Sequence, residues 1–553
     1  MQKLIWFTTA LLFNNFLFSQ GTLTGNFRLN VDMYDRDSAI AAVGPNYEVN
    51  KNSANAWFQM IYSDINKGFE AGVRFDGNYN SILQNPPIPV SFYGIGNWYL
   101  KKKIENLELT GGFIYEQYGS GVALRTFEER NLGIDNAIFG VRAKYYINDK
   151  FMVRGIVGTQ KYRLDYFGAF VKGLNFEGST ELGKNRKTNL SFGAAVVSRT
   201  LIEKDREIIN NAISGYQLVD TNRSRAADYF QAPYNTYVFN YYHTLQMGRV
   251  SWGTDFAYKT KDAIFNQFIN TYQYRSGYSI MNSLSYSQKG LGLTLQNRIV
   301  NNFQFQSTAQ GAVADFNLNN NRRLSFLAPI NRQNSLRLPA RFQIAPIEIS
   351  EIATSLDITY SPSKKTHINL NISVIDSALL FKTPYYKEVY FDIERKKLLN
   401  GKMDLHGGIQ YVFYNQRKYL VGNEPTDIQS YTFFIEPTYR INRKHSLRFE
   451  FQYQHAAKEL GQSLFALIEY NAAPNWSFSI SDLYNFSPNK QYEVVKEYQQ
   501  PHHFYSIFTS YTKGATRFTL AYAKQLAGII CTGGVCRFEP AFSGMRLQVT
   551  SSF

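Results

Sequence analysis

Along most of this 553-residue chain, apolar and polar side chains alternate with a period of two. Leu447, Phe449, Phe451 and Tyr453 are interleaved with Arg448, Glu450, Gln452 and Gln454, and Ile368, Leu370, Ile372 and Val374 with Asn369, Asn371 and Ser373. Val250, Trp252, Phe256 and Tyr258 run against Ser251, Gly253, Asp255 and Lys259, and Trp476, Phe478 and Ile480 repeat the rhythm. At the carboxy terminus Met545, Leu547, Val549 and Phe553 share one face, while Arg546, Gln548, Thr550 and Ser552 share the other. Successive side chains of an extended strand point to opposite faces, so each segment is predicted to be a strand with one greasy and one wet side. The first such strand runs from Leu23 to Met33.

Short polar or basic connectors separate these strands: Asn66 to Gly68, Lys101 to Asn106, Asn148 to Lys150, Gly183 to Lys187, Gln246 to Arg249, Gln288 to Gly290, Ser361 to Lys365, Leu398 to Lys402, Asn442 to Lys444, Ala472 to Asn475 and Thr512 to Gly514. They have the composition of hairpin turns. Longer connections alternate with them, among them Asp35 to Ser53, Gly119 to Asp135, Thr200 to Pro233, Asn302 to Glu348 and Ser487 to Pro501. Two strands around each turn and one at each end give about 24. No stretch of roughly 18 apolar residues follows the amino terminus, which excludes spanning helices. The pattern predicts an all-β fold: a large antiparallel transmembrane β-barrel of about 24 strands, with short periplasmic turns and long extracellular loops.

The two ends fit an exported barrel. Lys3 and the apolar run from Leu4 to Phe18, ending at Ser19-Gln20-Gly21, have the form of a secretory leader over residues 1–20, leaving 21–553 as the barrel. An aromatic last residue, Phe553, fits the signal that bacterial outer-membrane barrels present to their assembly machinery, so the expected location is the bacterial outer membrane. The mean hydropathy of −0.32 suits a chain whose every second strand residue faces water. Forty Tyr and 43 Phe are enough to build aromatic girdles at both membrane interfaces.

A net charge of +16 and a pI near 9.4 favour anionic partners, either acidic solutes or lipid phosphates. Nucleic acid does not fit, since the leader exports the chain and no recognition motif is present. The only cysteines, Cys531 and Cys536, flank Thr-Gly-Gly-Val, and in an exported chain they are candidates for a disulfide that staples one loop.

A barrel this wide leaks unless something fills it. Because the first expected strand begins almost at the expected cleavage site, no amino-terminal plug is expected, which counts against an energised receptor and leaves inward-folded loops as the expected closure of the lumen: Thr200 to Pro233, Asn302 to Glu348 and the segment after Tyr115. In that last segment, Tyr115 to Asn136, charges of both signs are mixed, and Arg125 and Arg130 are expected to pair with Glu116, Glu128, Glu129 or Asp135 inside the lumen. Together with the strand before it, this segment and its Tyr-Glu-Gln-Tyr-Gly-Ser-Gly start resemble a recurring motif of an uncharacterised family of Bacteroidota outer-membrane barrels, a domain of unknown function. The Phe18-Ser19-Gln20 leader end is similar to that of exported proteins of the same phylum. The resemblance implies location and fold, and brings no activity.

Enzyme signatures are weak. The seven histidines fall into no nucleophile–base spacing, and Ser120 lacks the Gly-x-Ser-x-Gly frame because Tyr118 and Val122 hold its outer positions. His502 and His503 are adjacent on an extended segment and point apart, which disfavours a shared metal ion. No catalytic residue, metal or cofactor is expected. The expected function is porin-like passage or binding of polar or anionic solutes. The alternative is an accessory subunit of a larger outer-membrane assembly for protein export, barrel insertion or nutrient uptake. Expected partners are outer-membrane lipids, the barrel assembly machinery during insertion and such a complex.

Overall fold

The computed structural model describes residues 21–83, 89–183, 188–219, 230–266, 271–308, 321–377, 385–415, 427–490, 495–532 and 535–553. Twenty-four antiparallel strands form one sheet that closes on itself. The first strand, Thr22–Tyr34, pairs with Asn52–Asp64 on one side and with the last, Phe542–Ser552, on the other, Asn26 lying opposite Ser552. The short connectors join neighbouring wall strands at one rim, and the long connections lie at the opposite rim; of the connector Gly183 to Lys187, all but Gly183 lies outside the described residues. Local chemistry fixes the short turns. In two of them an asparagine side chain folds back: Asn148 Oδ1 accepts from the N–H groups of Lys150 and Phe151 at 2.8 and 3.0 Å, and Asn442 Oδ1 accepts likewise from Lys444 and His445. The predicted leader lies outside the described residues.

Burial is inverted relative to a water-soluble sheet. Outward Phe433 and Phe451 are 52% and 47% exposed, whereas the inward amides Gln452 and Gln454 are buried. Such a wall is suited to lipid outside and polar contacts inside. The core is therefore the barrel interior, filled by connections folded in from the long-loop rim. One cluster joins Tyr118, Val122 and Leu124 to Phe303, Phe305 and Leu324. A second joins Ile40 and Tyr47 to Leu338, Leu460 and Tyr498, and a third joins Ile330, Phe342 and Ile344 to Tyr385 and Tyr414. Each large apolar side chain so buried contributes roughly 1.5–3 kcal/mol against remaining in water. The helix Glu203–Val219 turns Ile209 and Ile213, one helical turn apart, onto Ala169, Ala263, Phe265 and Tyr272.

One connection at the long-loop rim is short. Strands Phe151–Tyr162 and Asp165–Leu182 meet through Arg163 and Leu164 alone, Tyr162 pairing with Asp165. Next to it the wall is incomplete, because Leu107–Ile114 has eight residues against the fifteen of its neighbour Val90–Ile104.

Candidate functional site

The segment that fills the lumen leaves the wall at a glycine. Gly112 has φ +110°, and a Cβ there would lie 2.3 Å from the Trp98 carbonyl oxygen, so only glycine lets the chain peel off the Val90–Ile104 strand. Beyond Ile114 a small hairpin forms, Gln117–Tyr118 against Leu124–Arg125, turning through Gly119 (φ +54°) and Gly121 (φ +97°). The segment then pairs with another inward connection some 200 positions away: Arg125 N–H donates to the Leu324 carbonyl at 2.8 Å and Phe326 N–H to that of Gly121 at 3.0 Å. A second small pair, Glu128–Glu129 with Ile134–Asp135, leads back to the wall at Ile138.

Ionic contacts tie this segment to the wall. Glu116, almost fully buried, accepts from Arg154 at 3.0 Å and from Arg142 at 3.4 Å; those arginines also reach Glu177 and Glu108 at 2.5 and 2.8 Å. Arg74 engages three carboxylates: Asp76 and Asp135, each at 2.7 Å, and Glu128. Lys161 donates to Asp135 at 2.5 Å and to the Gly96 carbonyl, and Arg130 donates to Glu128 at 2.7 Å. Burial pushes the Asp135 carboxyl up, but Lys161 and Arg74 outweigh it and hold the group below the ordinary carboxylate range. At the hairpin tip the Ser120 hydroxyl donates to Asp255 at 2.6 Å.

Two members of the expected luminal set sit differently. Arg125 lies over the rings of Phe326 and Phe127, at 4.0 and 5.0 Å, because the Asn302 to Glu348 connection presents aromatic faces there and not a carboxylate. Glu129 caps a short turn, accepting from the Asn131 N–H at 3.2 Å. The wall partners Arg74, Arg142, Arg154, Lys161 and Asp255 were not foreseen as members of this network; their only sequence signal is a polar residue at an inward strand position.

The interior is also less basic than the overall charge implies. Buried arginines are matched by acids, as in Arg199 with Asp262 at 2.8 Å and Arg298 with Glu351. Many cations sit at or beside the short connectors, including Lys67, Lys101, Lys102, Lys103, Lys150, Arg249, Lys289, Lys364, Lys365, Lys397, Lys402, Lys444 and Lys513. Between this rim and the hairpin tip lies a cavity of about 750 Å³, lined by Ser120, Lys150, Glu177, Tyr242, Asp255, Asn282, Gln296 and Ile330, among others. Among the described residues, no cluster of three or more His, Cys, Asp or Glu is placed to hold a metal ion. The backbone sets Cys531 opposite Cys536 in the hairpin Gly528–Thr532 with Val535–Glu539, while their side chains lie outside the described residues.

A family model matches the entire chain, residues 1–553. The chain belongs to a family of unknown function, DUF6029. No curated protein matches the sequence. Among solved structures, the translocation pore of the P pilus usher PapC aligns at TM-score 0.42 and 9% identity over 96% of this chain and 99% of that one. The ferric enterobactin receptor PfeA of Pseudomonas aeruginosa aligns at 0.43 and 9% over 96% and 80%, and OccAB3 of Acinetobacter baumannii at 0.33 and 10% over 69% and 92%.

Proposed function

We propose that this DUF6029 chain is a non-enzymatic barrel of the bacterial outer membrane that binds polar or anionic solutes and passes them when its luminal loops shift. The observation that carries the reading is how the lumen is closed. The 115–136 segment is anchored to the wall by side-chain contacts, both ion pairs and hydrogen bonds and the apolar packing of Tyr118, Val122 and Leu124, so it can detach while the ladder of wall strands stays intact. Below it, the cavity of about 750 Å³, lined by polar and apolar side chains together, reaches Asn148, Asp149 and Lys150 at the short-turn rim, whose lysines raise the local concentration of anions. In planar bilayers the intact protein is expected to conduct little, and replacement of residues 117–134 by a glycine-serine linker to open a large, weakly anion-selective pore. A deletion variant that inserts but stays electrically silent refutes the reading.

The basic rim also supports the second reading, an accessory subunit whose short-turn face docks on an acidic partner in an outer-membrane assembly. Its expected signature is a stoichiometric partner in gentle-detergent purification from native membranes, released as salt rises. Recovery of the barrel alone at low salt counts against it.

A further inference from the structure

The wall is interrupted beside the luminal network. Strand Val90–Ile104 shares only six register pairs with Leu107–Ile114, from Tyr99 to Ile104, against the eight that Leu107–Ile114 makes on its other side. Above Tyr99, among the described residues, that strand pairs only with Phe69–Ser81. Side chains fill the breach. The Lys161 ammonium, 2% exposed, donates to Asp135 and to the carbonyl of Gly96, which stands at a bulge where the strand slips in register against Phe69–Ser81. Outside it an aromatic patch closes over, with Tyr166 4.9 Å from Phe139 and 6.1 Å from Phe113, and Trp98 edge-on to Phe139 at 5.6 Å. Leu164, at the tip of the two-residue turn, lies against Gly94, where a Cβ would meet its methyl carbon at 3.0 Å.

Behind the breach is a recess of about 60 Å³ whose lining includes the rings of Phe92 and Tyr162 and the cations of Arg74, Arg130, Lys161 and Arg163. Asp76, Glu128 and Asp135 offset three of those cations. Arg163 is the unmatched one: it stands at φ +58°, its guanidinium lies 5.1 Å over the Tyr162 ring, and its buried Nε has no hydrogen-bond partner among the described residues. On the outer surface Tyr93, 89% exposed, and Ile95 face whatever surrounds the barrel.

We propose that this interruption is a lateral portal through which an anionic amphiphile of the surrounding bilayer sets its headgroup in the recess beside Arg163. The inference rests on the barrel lying in a membrane and adds a route through the wall to the axial one. A closed ladder cannot part without stripping a row of backbone hydrogen bonds in lipid, where each unsatisfied group is costly; at this place the gap is spanned by side chains and the two-residue Arg163–Leu164 turn. At about 60 Å³ the recess in its closed state is too small for a headgroup, so occupancy requires the Leu164 turn to swing off Gly94. An apolar tail then lies against Phe92 and Tyr162 while the acid meets a cation that, among the described residues, no carboxylate pairs with.

The test uses the purified full chain in phosphatidylcholine vesicles containing phosphatidylglycerol with a photoactivatable group on its headgroup, with cross-links mapped by mass spectrometry. Labelling is expected on Phe92 and Tyr162. It should fall about tenfold in R163Q, which leaves the wall intact and removes one charge-assisted contact. It should fall similarly when oxidised Gly94→Cys/Leu164→Cys locks the turn, and return on reduction. Labelling confined to the outward Tyr93 and Ile95, labelling indifferent to both variants, or equal labelling by headgroup-modified phosphatidylcholine would overturn the portal. Absence of label on Tyr93 as well would show that this wall does not face lipid and would overturn the membrane reading with it.

Discussion

Removing the Arg74 guanidinium is the sharpest perturbation of the luminal closure. Its side chain is 4% exposed and sits among Asp76, Glu128 and Asp135, two of which belong to the inward segment. In Arg74→Met these carboxylates lose their shared cation and face one another out of bulk water. Breaking a buried pair by deleting one partner costs roughly 3–5 kcal/mol, most of it the penalty of the charges left behind. The wall strand itself is spared, since residue 74 keeps its backbone partners Gln59 and Asn97. The cost therefore falls on the docked state of the segment, and at about 1.4 kcal/mol per tenfold the detached fraction rises by roughly a hundredfold to a few thousandfold. Single-channel recording in planar bilayers reads that fraction as open probability, and heat-modifiable gel mobility confirms the folded barrel. Adding Glu128→Gln and Asp135→Asn should recover much of the closure, because neutral amides do not repel. An Arg74→Met barrel that is folded and as quiet as the parent, or a triple variant as leaky as the single one, refutes the electrostatic account.

Two further outcomes follow from the same site. Because Asp135 is held below the ordinary carboxylate range, its contribution is fully present above about pH 4 and is lost only as pH falls further, through its folded value; protease sensitivity of the segment should be flat from pH 7 to 5 and rise in stronger acid, and a rise already between pH 7 and 5 contradicts this. Gly119→Val places a branched side chain at φ +54°, 2.6 Å from the Tyr242 ring, and that ring is fixed by hydrogen bonds to Glu177 and Asn175. The combined overpacking and backbone strain of about 2–5 kcal/mol should unseat the hairpin tip and speed hydrogen exchange around Ser120; unchanged exchange there would refute it.

The wall was legible in the sequence because its signal is local. Each connector such as Asn148 to Lys150 carries its own turn chemistry, and a period of two survives wherever one face meets lipid and the other does not. The connection Arg163–Leu164 was not, since neither residue is a turn former, yet Arg163 itself takes the left-handed backbone, φ +58°, that makes the bend. The interior was harder for a different reason. That Tyr115 to Asn136 folds inward could be inferred from its mixed charges, but its partners lie far along the chain, as Ser120 and Asp255 do, and inward polar positions look alike in sequence. Arg125 shows the limit: its stacking partner Phe326 comes from a separate connection, and nothing near Arg125 announces it. Net charge has the same limit, because composition counts lysines without saying where in the barrel they stand.

Cylinder closure places Asn26 beside Ser552, so the two raw edges of the growing wall find each other only after nearly the whole chain has been made. Until then the nascent sheet is a curved ribbon with exposed margins that invite pairing with other chains. Assembly is thus decided at the final strand, where the Phe553 ring packs at 6.2 Å on that of Phe58. A chain shortened by that one strand retains most of its contacts yet has no finished form, and its fate passes from the folding pathway to quality control.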